Sequence, residues 1–148
     1  MNGAVALKWA ALVTAILGLL DSLYLSASHV TGVSLVCGPL EGCNEVAASP
    51  YSLLFGIPLA FLGVLYYTGA FVLIAALFSH DNPLLRKLFF ILTTIGVAMS
   101  LYFLYIQAFS IGAWCIYCVV SAGFSGILWG CGLPLFRERT RTQLVDTA

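Results

Sequence analysis

The stretch WCIYCVVSAGFSGILWGCGLPLF, residues 114–136, decides the fold. It is apolar throughout and meets no charged side chain before Arg137. A bilayer core about 30 Å thick needs about 20 such residues in a helix. Three further apolar stretches reach that length, approximately over 7–30, 57–78 and 88–111. The composition agrees, with 61% hydrophobic and 8% charged residues, where soluble domains carry about 25% charged. The expectation is an all-α integral membrane protein, a bundle of four transmembrane helices. Its longest connection is a loop between the first two helices, and residues 1–148 form a single transmembrane domain. A net charge of zero without a basic tract leaves no electrostatic footprint for nucleic acid.

The first stretch has features of a signal peptide, with Lys8 ahead of an apolar run and Ser26-Ala27-Ser28 as small residues at its end. The run is too long for a signal core, however, and it contains Asp21, so it is expected to stay as a span. Basic residues set the orientation. Lys8, Arg86, Lys87, Arg137, Arg139 and Arg141 all fall on one side of a four-span chain. The other side holds the loop from Thr31 to Gly56, which has Glu41 and Glu45 but no Lys or Arg. Both termini are therefore expected in the cytoplasm, in a multi-pass cell-membrane protein with its long loop outside.

The five cysteines divide unevenly. Cys37 and Cys43 lie in the outer loop, in a turn-forming context of Gly38, Pro39 and Gly42. Cys115 and Cys118 open the fourth stretch at its outer end, and Cys131 stands alone near the opposite end. Four cysteines thus share the face on which disulfides persist. A Cys-x-x-Cys at a helix start has a specific use, because the helix N-terminus favours a thiolate. Residues three apart also share a helical face, so the two sulfurs can bond. A ring so small is a poor staple, which points to redox exchange. A flexible loop dithiol that meets first a soluble partner and then the helix pair would form a thiol–disulfide relay. Two other uses of the four sulfurs remain: a zinc site, against which the five-residue gap between Cys37 and Cys43 argues, and two inert structural disulfides. Cys131 is expected to pack as a small hydrophobe.

The sequence resembles the vitamin K epoxide reductase family in its short prokaryotic form. The resemblance runs through Gly18-Leu19-Leu20-Asp21-Ser22-Leu23-Tyr24, the pair Cys37 and Cys43, Ser49-Pro50-Tyr51-Ser52, Leu54-Phe55-Gly56-Ile57-Pro58 and Trp114-Cys115-Ile116-Tyr117-Cys118. A Cys-x-x-Cys in the last helix, after a loop pair between helices 1 and 2, is its specific part. The resemblance implies a quinone-dependent thiol–disulfide oxidoreductase that supports disulfide formation in exported proteins. Cys37 would exchange with a thioredoxin-like protein, Cys43 with Cys115, and Cys118 would deliver electrons to a quinone. Ser49 matches a family serine near the active site. The chain ends soon after the fourth helix, so the thioredoxin-like partner is expected to be a separate extracytoplasmic protein. Animal members carry a tyrosine four residues after the second Cys of the Cys-x-x-Cys, where this sequence has Ala122. A respiratory quinone of the ubiquinone or menaquinone type is therefore the expected acceptor, rather than vitamin K epoxide.

Several residues are candidates for quinone binding or proton delivery. Asp21 is the only acid inside a span, at a cost of about 2.5–3.5 kcal/mol on insertion scales. It either bonds a neighbouring helix, at Ser100 or Gln107, or assists quinone protonation. Tyr24, Phe55 and Tyr117 are expected around a quinone pocket together with Ser49, Ser52 and Ala122. A stripe of Cys118, Ala122, Gly126 and Gly130 predicts close helix packing on the face that turns the cysteines inward. No ligand set for a metal is apparent. Two rival functions stay open: a small proton-coupled multidrug exporter that uses Asp21, and a structural membrane protein stapled by two disulfides.

Overall fold

The computed structural model describes residues 3–38 and 42–146, with the side chains of 138–146 excepted. The turn residues Pro39 and Glu41 and the side chains of Arg139 and Arg141, all used above, lie outside the described residues. The chain forms α1 (Gly3–Thr31), a short α2 (Cys43–Ala48), a 3-10 turn at Pro50–Ser52, and strands β1 (Leu53–Leu54) and β2 (Ile57–Pro58). The long helices α3 (Leu59–Ser79), α4 (Pro83–Ile106) and α5 (Ile116–Asp146) follow. Among the described residues four helices are long and apolar enough to cross a membrane: Gly3–Thr31, Leu59–Ser79, Pro83–Ile111 and Ile116–Arg137.

The helices alternate in direction, and each packs on its two neighbours in a ring, α1 on α3, α3 on α4, α4 on α5 and α5 on α1. The core between them is formed by Ala11 and Ala15 of α1, Tyr67, Ala70, Ile74 and Leu77 of α3, Phe89 of α4, and Leu128, Cys131 and Leu135 of α5. Cys131 is thus a buried thiol in the core. Small residues allow the close approaches. A Cβ at Gly18 would strike the ring of Tyr67, one at Gly96 the ring of Tyr66, and one at Gly63 would lie 2.7 Å from Ser22 Oγ.

The expected packing role of Gly126 and Gly130 is corrected. A Cβ at either meets nothing within 4 Å. At 3.6 residues per turn, a four-residue spacing drifts about 40° per step around the helix. The buried line on α5 instead mixes steps of three and four, through Ser125, Leu128, Cys131 and Leu135.

Helix ends also differ from expectation. The Asn82 side chain accepts from Leu84 N at 2.9 Å, and Pro83 occupies the first turn. This cap starts α4 early, so Arg86 and Lys87 lie inside it rather than before it. Pro58 caps α3 from the end of β2, and Leu59 begins the helix. One end of the bundle is clamped by charge. Lys8 Nζ donates to Leu77 O at 2.8 Å and to Asp81 at 3.0 Å. Arg86 meets Asp81 with two bonds of 2.6 Å and reaches Leu135 O at 3.1 Å. Arg86 and Lys8 hold the Asp81 carboxyl down to about 2. The cysteine pairs sit at the other end.

Candidate active site

The connection between α1 and α3 is more ordered than a loop of turn residues suggests. After α1 ends at Thr31, Gly32 takes φ 68° and the chain runs without regular secondary structure to Gly38. Asn44 of α2 ties this run down, accepting from Leu35 N at 2.9 Å and donating to Leu35 O at 3.4 Å. Leu54-Phe55-Gly56-Ile57 then make a two-residue hairpin, with Leu53 opposite Pro58 and Leu54 opposite Ile57. Phe55 at φ 53° and Gly56 at φ 82° supply the left-handed pair that such a tight turn requires.

Cys37 and Cys43 are joined by a disulfide, with Cα atoms 6.1 Å apart. Cys115 and Cys118 are thiols. Cys43 and Cys115 are both buried and pack in one cluster with Leu35, against which Cys37 and Cys118 also rest. Gly42 makes this contact possible. A Cβ there would lie 2.7 Å from Trp114 N and 2.9 Å from Trp114 O. The backbone just before Cys43 therefore touches the backbone just before Cys115.

The start of α5 is held from behind. α4 widens into a π-helical turn over Gln107–Ile111, and Gly112, at φ 71°, closes it with a bond to Gln107 O. The buried Gln107 side chain accepts from Cys115 N at 3.0 Å. Cys118 N points at Cys115 Sγ across 3.4 Å. Cys115 stands one residue ahead of the apolar span. Its thiol is lowered to about 7, chiefly by the hydrogen bond from the Cys118 thiol, against burial and the negative charge of Asp21.

Beside this cluster lies a cavity of about 780 Å³. Cys43, Cys115 and Cys118 line it, as do Ser49, Ser52 and Ala122. The Ser49 and Ser52 hydroxyls donate to the backbone carbonyls of Val46 and Ser49, at 2.7 and 2.8 Å. The remaining candidates sit elsewhere. Phe55 is 97% exposed at the hairpin tip, because the turn backbone projects it away from the chain. Tyr117 donates to Val36 O at 2.7 Å, and Tyr24 packs on its ring at 5.2 Å. Together they clamp the run that carries Cys37, outside the cavity lining. Asp21 also lies outside that lining. Its Oδ2 is buried without a hydrogen-bond partner, so the expected bond from Ser100 or Gln107 is not made at that atom.

Asn44, Tyr66 and Tyr67 went unnoticed in the sequence, and Gly42 and Gln107 were read there in other roles, as a turn residue and as a partner of Asp21. Only Gly42 carried a signal, its place beside Cys43.

The sequence profile of the vitamin K epoxide reductase family matches residues 9–132, which take in all four spans nearly entire and every cysteine. The chain belongs to the vitamin K epoxide reductase family. Over 116 residues it is 36% identical to thiol-disulfide oxidoreductase LTO1 of Arabidopsis thaliana. That alignment takes in 72% of this chain and 31% of the plant protein, so the matched part is about a third of the relative's length. Membership in the vitamin K epoxide reductase family and four spanning helices make this a multi-pass membrane protein with a four-helix bundle.

Proposed function

We propose that this chain is a quinone-dependent thiol–disulfide oxidoreductase, acting as a single transmembrane domain. It would take electron pairs from a separate extracytoplasmic thioredoxin-like protein and pass them through Cys37/Cys43 and Cys115/Cys118 to a membrane quinone. One observation carries this: Cys43 packs against Cys115 at the edge of a cavity that Cys118 helps to line. The activity in the plant relative's name and the family's general chemistry point the same way.

The exchange balances in three steps. A partner dithiol attacks the Cys37–Cys43 disulfide, leaving the partner oxidised and the loop pair as thiols. Cys43 thiolate then attacks a Cys115–Cys118 disulfide, Cys37 resolves the mixed disulfide, and the loop pair is oxidised again. Finally, Cys115 and Cys118 close to a disulfide while two electrons and two protons pass to the quinone, giving a quinol. A bonded loop pair beside helix-pair thiols corresponds to the state before this last step. The lowered pKa of Cys115 supports its role as the exchanging thiolate. The cavity suits a quinone head, being largely apolar with a few polar groups, among them a buried Tyr66 hydroxyl that lacks a partner. The basic residues of the clamp at the opposite end support a cytoplasmic location for that end and for both termini.

The test is quinone reduction by purified Cys→Ser variants, driven once by a thioredoxin-like dithiol and once by dithiothreitol. Cys118→Ser should be inactive with both. Cys37→Ser and Cys43→Ser should fail with the protein dithiol alone, because a small dithiol needs no loop to reach the helix pair. Cys131→Ser should stay active. Retained dithiothreitol-driven turnover in Cys118→Ser would overturn the assignment.

A further inference from the structure

Two adjacent tyrosines of α3 reach the cavity and differ in one respect. Tyr67, 1% exposed, spends its hydroxyl on α5. Its Oη donates to Ser121 O at 2.7 Å and lies 2.9 Å from Ser121 Oγ and 3.3 Å from Ser125 Oγ. Tyr66 packs edge-on against Tyr67, with ring centres 4.8 Å apart, and its ring lies over Gly96 of α4. The Tyr66 Oη is buried yet has no hydrogen-bond partner. Ser125 stands beside it, but its hydroxyl, 3.3 Å from Tyr67 Oη, makes no bond of proper geometry with Tyr66. A buried hydroxyl without a partner has given up its bonds to water and gained none in return. Such a group at a cavity wall is explained by a ligand that completes it.

We infer that Tyr66 is a quinone-binding residue whose hydroxyl donates to the ring carbonyl distal to Cys118. This rests on the proposed use of the cavity for a quinone. A quinone carbonyl is an acceptor without a donor of its own, and a phenol is the complementary group. The spacing suits it. Ser125, the level of the Tyr66 hydroxyl, is seven residues beyond Cys118 on α5, about 10 Å along the axis at 1.5 Å per residue. That is the span of one quinone ring with a contact at each edge. The position also suits turnover, because charge builds on the ring oxygens as the electron pair arrives and a fixed buried donor stabilises it. The division of labour is then clear: Tyr67 ties α3 to α5, and Tyr66 serves the ligand.

Binding can be read without turnover in the Cys118→Ser background, by thermal shift titration with 2-methyl-1,4-naphthoquinone and with 2-methylnaphthalene, which lacks the carbonyls. Tyr66→Phe should weaken quinone binding about fivefold to tenfold, the worth of one hydrogen bond, and leave naphthalene binding unchanged. Without ligand, its melting temperature should equal or exceed that of the parent, since an unsatisfied hydroxyl is removed. Tyr67→Phe should instead melt lower. Equal quinone affinity in Tyr66→Phe overturns the assignment while leaving the quinone function intact. So does a ligand-free melting loss like that of Tyr67→Phe, which would mark a structural hydroxyl. No quinone binding by the Cys118→Ser parent would overturn both the inference and the proposed acceptor.

Discussion

Replacing Gly42 with alanine should uncouple the two cysteine pairs. Gly42 has φ −80° and ψ 2°, which alanine adopts without strain, so the change acts through contact alone. Its new Cβ would sit 2.7 Å from Trp114 N and 2.9 Å from Trp114 O. Ordinary contact begins at 3.4 Å, so the loop must lift by 0.7 Å to clear the first atom. Main-chain atoms at the start of α5, backed by the bond from Cys115 N to Gln107, have no rotamer through which to yield. Cys43, the next residue, moves with the loop while Cys115 stays. Misplacing a reacting group by about 1 Å costs up to about a hundredfold in rate, so transfer from loop to helix should slow between about tenfold and a hundredfold. The assay is quinone reduction driven by a protein dithiol, with dithiothreitol as the bypass that leaves the loop out. Gly38→Ala, whose Cβ would meet nothing within 4 Å, is the control in the same loop. The reasoning is refuted if Gly42→Ala keeps the wild-type rate with the protein dithiol, or loses the dithiothreitol rate to the same degree.

Two further outcomes follow from charge. Asp21→Asn should slow quinone reduction while the melting temperature holds or rises, because an unpaired buried carboxyl oxygen is replaced by a neutral group. It should also remove the negative charge that raises the Cys115 pKa, moving the pH profile of Cys115 alkylation to below about 7; an unmoved profile with full activity would dismiss Asp21 from the site. A membrane-impermeant maleimide should label the reduced Cys37–Cys43 loop in intact cells, and labelling only after lysis would reverse the orientation.

The spans were legible because burial in lipid demands a long unbroken apolar run, and such runs are visible residue by residue. The cysteine pairs were legible because their chemistry is carried by residue type and spacing. Packing was not. A four-residue glycine stripe suggested contact at Gly126 and Gly130, whereas the close approaches are single glycines, Gly18 and Gly96, each facing a tyrosine ring on another helix. Nothing local marks such a pair, since it depends on how the helices are set against each other. The same holds for the aromatic residues. Phe55, Tyr24 and Tyr117 looked like pocket lining from their neighbourhood in sequence, yet a tight turn projects Phe55 outward and a carbonyl on the outer run engages Tyr117. Gln107 was hidden because its role needs the π-helical turn that follows α4.

The burial of the four relay cysteines supports an order for the proposed electron path. Cys37 is partly exposed where the outer run leaves the bundle, whereas Cys43 and Cys115 are 0% and 2% exposed. Cys118 lines the cavity. A docking protein can therefore approach Cys37 most readily, and a lipid-soluble ring can reach Cys118 through the cavity. The middle pair, buried from the outer face, is open only to the cavity, which Cys43 and Cys115 also line. Were Cys43 and Cys115 open to the outer face, a passing thiol could reduce the helix pair directly, which would dissipate the oxidant without selecting a partner. Gly42 and Gln107 are what keep the middle closed, one by letting the loop sit on the backbone of α5 and the other by fixing Cys115 beneath it. Specificity for the partner would then reside in the outer run held by Asn44 and Tyr117, and specificity for the acceptor in the cavity wall at Tyr66.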